Sequence, residues 1–180
     1  MSTRQMTLTA MLTALLCILG PLTLPIGPIP LSLTTAMLML MALLLGASRA
    51  TLCCGVYLLI GLTGLPVFSG FTGGIGAFAG PTGGFLLGYL PMTAWCGFLC
   101  ARTQRRLWQL LALLTGTALL YLIGAAWYAW QADVSAAAAL SVCVLPFLPG
   151  DALKLAAVVI GGNAIKARLR KTGLIPTDSP

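Results

Sequence analysis

The sequence contains no histidine and only three acidic residues, Asp133, Asp151 and Asp178, so the side chains that most often carry acid–base catalysis are missing. Zinc is disfavoured for the same reason, and a Ser/His or paired-carboxylate enzyme has nothing to be built from. A G-x-x-x-x-G-K-[ST] phosphate loop is also absent, so the chain does not power a process from ATP by itself. Charge of either sign is scarce: 7% of residues, against roughly 25% in soluble globular chains. A soluble fold is thereby excluded.

What the chain does have is hydrocarbon. Of its 180 residues 59% are hydrophobic, and the apolar runs recur along the whole length, reaching or approaching the ~20 residues needed to cross a bilayer core of about 30 Å. This predicts an all-α integral membrane protein, one domain over 1–180, with six transmembrane helices near 6–24, 31–47, 50–63, 82–101, 107–130 and 140–167. The first run follows Arg4, yet no small-residue cleavage site comes after it, and Pro21, Pro25, Pro28 and Pro30 lead into the next span, so it reads as a helix and not a signal peptide. Cys17, Cys53, Cys54, Cys96, Cys100 and Cys143 fall within or beside these runs and read as small hydrophobes.

A net charge of +7 would suggest nucleic acid in a soluble protein. Here the charges follow the bilayer. With six spans both termini share one side, and Arg4, Arg49, Arg102, Arg105, Arg106, Lys166, Arg168, Arg170 and Lys171 all fall there, which makes that side cytoplasmic and leaves no nucleic-acid role. Lys154 alone is left over. It lies in Pro146–Lys154, "PFLPGDALK", one helical turn after Asp151. Pro149 bars a regular helix through the residues before it, while Gly150 and Asp151 suit a turn and a cap, so the last span begins or restarts here. A charged pair on one face inside a membrane domain marks a ligand or ion path.

Further candidates surround the pair. "GPTGG" opens the fourth span, where first-turn amides lack intrahelical partners and Thr82, Gly83 and Gly84 offer a seat for an anion; the two glycines equally allow close helix packing. Phe85 and Tyr121 are placed to stack on a ring, whereas Trp127 and Trp130 read as an interfacial belt. The connection over 64–81 is long and glycine-rich, but Phe68, Phe71, Ile75 and Phe78 argue for a packed lid or re-entrant segment. Its Gly73 and Gly74 join the candidate site. Ala10 and Ala14 form a small-xxx-small pair on the first span, suited to a docking helix.

Taken in order, "GPIPLSL" at 27–33, "GLTGLPVFSGFTGG" at 61–74, "GPTGGFLLGY" at 80–89 and "PFLPGDALK" at 146–154 resemble the BioY family, the biotin-specific S components of energy-coupling factor (ECF) transporters. The resemblance covers nearly the whole chain. It implies a six-helix S-component bundle whose vitamin site opens outward beneath the connections that follow the first and third spans. It implies biotin as ligand, no cofactor, and energising partners: a transmembrane coupling protein and ATP-binding subunits, or self-association where no such module is dedicated. It also implies that Asp151 and Lys154 are the family's polar pair and that Thr82–Gly84 are its glycine-rich wall. The residues alone leave a second expectation standing, an ion channel or ion-coupled carrier in which Asp151 titrates against Lys154.

Overall fold

A computed structural model describes residues 3–24 and 31–173. Pro25, Pro28, Pro30 and the first four residues of the 27–33 motif lie outside these. Helix α1 (Thr3–Leu19) is followed by a two-residue antiparallel pair, β1 (Thr23–Leu24) with β2 (Leu31–Ser32). Then come α2 (Thr34–Leu62), a short α3 (Ile75–Ala79), α4 (Gly83–Ala101), α5 (Arg106–Ala132), α6 (Ala136–Cys143) and α7 (Leu148–Lys171). Helices α2, α4, α5 and α7 are long and apolar enough to cross a membrane, and α1 is a shorter apolar helix. The chain is therefore a multi-pass membrane protein. Large apolar side chains remain exposed around its outside, among them Ile18, Leu122 and Ile160, as a bundle solvated by lipid requires.

Three span boundaries differ from expectation. The first span ends at Leu19 and gives way to β1, because Gly20 and Pro21 stop the helix. The second and third spans are not separated by a loop. Gly46, with φ +75° and ψ −178°, breaks α2 by itself, and helix resumes at once, placing Arg49 within it. Only glycine adopts this backbone readily. The last span is split, since Val144 to Phe147 turn between α6 and α7 at Pro146, while Pro149 stands in the first turn of α7.

The core forms where α4 packs along α2 and α5. Leu38, Met39, Leu43, Cys54, Met92, Cys96, Leu113 and Leu120 are buried there, and Cys54 and Cys96, like the other cysteines, are unpaired thiols. Small residues set the spacing. A Cβ on Gly97 would fall 2.6 Å from the nitrogen and Cα of Ala47, so α4 touches the α2 break backbone to backbone. Lys166, expected as an orientation-setting surface cation, is instead only 6% exposed, with Cys100 of α4 nearby.

The segment expected as a lid over 64–81 packs onto the bundle. Phe68 is 1% exposed and meets Tyr57 and Phe78 edge-on at 5.4 and 5.5 Å between ring centres. The Tyr57 hydroxyl donates to the Val67 carbonyl at 3.0 Å, and the Gly70 N–H donates to the Pro21 carbonyl at 3.1 Å. Phe71 and Ile75, expected to help pack this segment, are 65% and 74% exposed. Phe68 and Phe78 alone among the four do that work.

Candidate functional site

Asp151 lies within the first turn of α7, its N–H bonded to the Phe147 carbonyl at 2.8 Å. It is helical and does not cap: its carboxylate turns to side chains. Lys154 Nζ donates to Asp151 Oδ1 at 2.9 Å, to the Ser32 carbonyl at 2.8 Å and to Thr35 Oγ1 at 3.2 Å. An ammonium has three N–H donors, and all three are taken. Tyr121 on α5 donates its hydroxyl to the other carboxylate oxygen, Oδ2. One polar network thus ties α7 to α5, β2 and α2.

The side chains of Lys154 and Asp151 are only 11% and 8% exposed, and theirs is the only ion pair among the described residues. Taking two charges out of water is repaid only when geometry is good and the remaining donors and acceptors are satisfied. The network meets that condition. Replacing such a pair with apolar residues is often neutral or stabilising, so its presence in a bilayer domain calls for a purpose beyond stability.

The pair faces a cavity of about 50 Å³. Its other walls come from the lid (Phe68, Ser69, Thr72), from the start of α4 (Thr82, Phe85, Leu86, Tyr89), from Phe147 ahead of α7, and from Ser32 and Thr35. The result is one charged patch, four aromatic rings and a set of hydroxyls. Small-molecule sites combine an apolar, aromatic lining with a few placed polar groups in this way, although they usually enclose roughly 300–1,000 Å³. The lid leaves less.

The structure brings Asp151, Lys154, Thr82 and Phe85 together on this cavity and places the other expected residues elsewhere. Tyr121 is not in its lining: it reaches the site as a hydrogen-bond donor to Asp151. Gly83 and Gly84 do not line it either. A Cβ on Gly83 would strike the Phe78 carbonyl and one on Gly84 the Trp127 side chain, so these glycines let α4 meet the lid and α5 closely. The anion seat is largely occupied, because the Gly83 and Phe85 N–H groups donate to the Gly80 and Thr82 carbonyls, each at 3.0 Å. Gly73 and Gly74 shape the lid: Gly74 has φ +81° and donates to the Gly61 carbonyl at 2.7 Å, while Gly73 is pressed on the Leu65 carbonyl. Trp127 is more than a belt residue, since its Nε1 donates to the Gly80 carbonyl at 3.0 Å, and Gln131 donates beside it to Ala79.

Sequence reasoning passed over Ser32, Thr35, Ser69, Thr72, Tyr89 and Phe147 as site residues. Five of the six lie inside the four quoted motifs, and Tyr89 is one helical turn after Phe85, so the motifs carried the signal even where single residue types did not. Ala10 and Ala14 are both exposed on α1 and outside the cavity lining.

A family model described as the BioY family matches residues 1–171. The chain belongs to the BioY family. Its relatives include the biotin transporter BioY of Thermotoga maritima, 32% identical over 93% of this chain and 96% of that one. The probable biotin transporter BioY of Pyrococcus horikoshii is 35% identical over 89% and 94%. Among solved structures, the S-component for biotin from an ECF-type ABC transporter superposes with a TM-score of 0.85 at 32% identity, covering 95% of each chain. The helical architecture therefore matches that of an ECF S component, and BioY membership places the chain in a transport family and not among enzymes.

Proposed function

We propose that the chain is the high-affinity biotin-binding subunit of an uptake system in the cell membrane. In this reading it is a single domain of six spans with both termini cytoplasmic, energised by a transmembrane coupling protein and ATP-binding subunits. The observation that carries the proposal is the satisfied Tyr121–Asp151–Lys154 network set against an aromatic cavity under a packed lid. Biotin has a ureido ring with two N–H donors and one oxygen, an apolar thioether ring and a carboxylate tail. The carboxylate of Asp151 has lone pairs left for ureido N–H groups, and such charge-assisted bonds are the strong ones.

The ureido oxygen needs a donor, and Lys154 has none to spare. Its contact with Thr35 is the longest of the three, so it is the one a ligand oxygen would displace; alternatively Thr35 gives its own hydroxyl proton to that oxygen while still accepting from Lys154. Phe68, Phe85, Tyr89 and Phe147 suit the apolar middle. The tail then goes to the hydroxyls of Ser69, Thr72 and Thr82, since the α4 amides are largely engaged. A cavity of about 50 Å³ is too tight for a bicyclic ring, so entry requires the lid to lift. Saturable binding of radiolabelled biotin to the purified protein below micromolar concentration is the expected result. Binding only above that range, or none, overturns the reading.

A further inference from the structure

At the end of the bundle remote from the lid, α4 and α5 border a second, larger cavity of about 620 Å³. Leu99, Leu111 and Ala112 form its apolar wall, Trp108 flanks it at 57% exposure, and Arg102 and Thr103 stand at its rim. The Arg102 guanidinium lies 4.0 Å above the Phe98 ring, a contact that fixes the group while leaving N–H donors on its edge. Arg105 and Arg106 follow within four residues, all three arginines are exposed, and the only ion pair of the described residues is the distant Asp151–Lys154. Helix α5 begins at Arg106, so its positive dipole end opens at the same place.

We propose that this groove is a binding site for an anionic phospholipid, with an acyl chain between α4 and α5 and the phosphate group held by Arg102 and the arginines beside it. The choice of occupant follows from charge. A purely apolar groove in a bilayer is filled by any lipid tail, but an exposed arginine on the groove with two more within four residues selects a negative headgroup, as basic pockets between membrane helices do. Exposed tryptophan at the same level fits a headgroup boundary. Nothing in this site touches the Asp151–Lys154 cavity, so it stands or falls independently of biotin.

The test is native mass spectrometry of delipidated, detergent-solubilised protein titrated with phosphatidylglycerol or with phosphatidylcholine of the same chain length. Phosphatidylglycerol is expected to be retained preferentially, with about fivefold of the preference lost for each arginine removed. The double variant Arg102→Gln/Arg106→Gln should therefore approach phosphatidylcholine levels, and Arg102→Lys/Arg106→Lys should keep most of the preference. Trp108→Ala should weaken both lipids. Equal retention of the two lipids by the unaltered protein, or an unchanged preference in the double variant, overturns the proposal. So does displacement by millimolar glycerol phosphate, which would mark a site for free phosphate. If the double variant does not run as a single species in gel filtration, salt decides: raising sodium chloride to 0.5 M must narrow the preference of the unaltered protein, and a preference that ignores salt sinks the idea.

Discussion

At the scale of single residues, the satisfied network makes its members unequal. Removing either charge leaves the other buried and unpaired, which typically costs about 2–5 kcal/mol, or roughly 30-fold to several thousand-fold in affinity. Asp151→Asn and Lys154→Met are expected to weaken biotin binding by that much in isothermal titration, whereas Arg168→Gln, at an exposed position far along α7, should leave it unchanged. Binding within threefold of the unaltered protein in both site variants would make the pair structural. Tyr121 acts through Asp151, so Tyr121→Phe should lose about 1.5–3 kcal/mol, the range for a hydrogen bond to a charged group. That loss should vanish in an Asp151→Asn background; an equal loss in both backgrounds would show that Tyr121 acts on its own. The charged pair was legible because a lysine among apolar residues falls outside the pattern that the other nine cations follow. Tyr121 was legible only as a polar aromatic at depth, and its partner emerged from a contact between α5 and α7 that no local pattern encodes.

At the scale of elements, α4 and α5 followed from apolar run lengths, and their facing ends from Arg102 and Arg106, whereas α2 joins the two spans expected over 31–47 and 50–63. A break between 47 and 50 is what the sequence led one to expect, but not its place at Gly46 or the helix resuming without a loop, since a small residue in a membrane helix reads equally as packing. Its consequence is testable. Gly97→Ala would press a methyl group into the Ala47 backbone, which has no rotamer to yield, so a loss of about 1–3 kcal/mol is expected as a lower thermal midpoint in detergent. Gly55→Ala, which meets nothing within 4 Å, should match or exceed the unaltered midpoint. The lid offers a kinetic counterpart. Trp127→Phe removes the bond to Gly80, worth about 0.5–1.5 kcal/mol, and should speed biotin release by roughly two- to tenfold in stopped-flow exchange. Unaltered release would mean that the segment is held by its other contacts, among them Phe68 and the Tyr57–Val67 and Gly70–Pro21 bonds.

At the scale of the whole molecule, the two ends of the bundle differ in kind. One carries the lid and the buried pair; the other carries the exposed arginines and the last turns of α7. Ala10 and Ala14 remain exposed on α1, a helix that packs chiefly against α2. If they receive the energising helices, Ala10→Trp or Ala14→Trp should abolish biotin uptake by cells while binding by the purified variants stays within about threefold. Joint loss of both would make the alanines internal packing.

The same network has a consequence for the membrane as an electrical insulator. With all three protons of Lys154 committed and Asp151 held by two donors, the network presents no bare charge to draw in a file of water, and the buried Phe68 ring walls the cavity that the pair faces. Liposomes containing the ligand-free protein should therefore hold an imposed pH gradient as long as empty liposomes do. On the proposed reading, a binder that leaked protons before its ligand arrived would drain the gradient across the membrane that holds it.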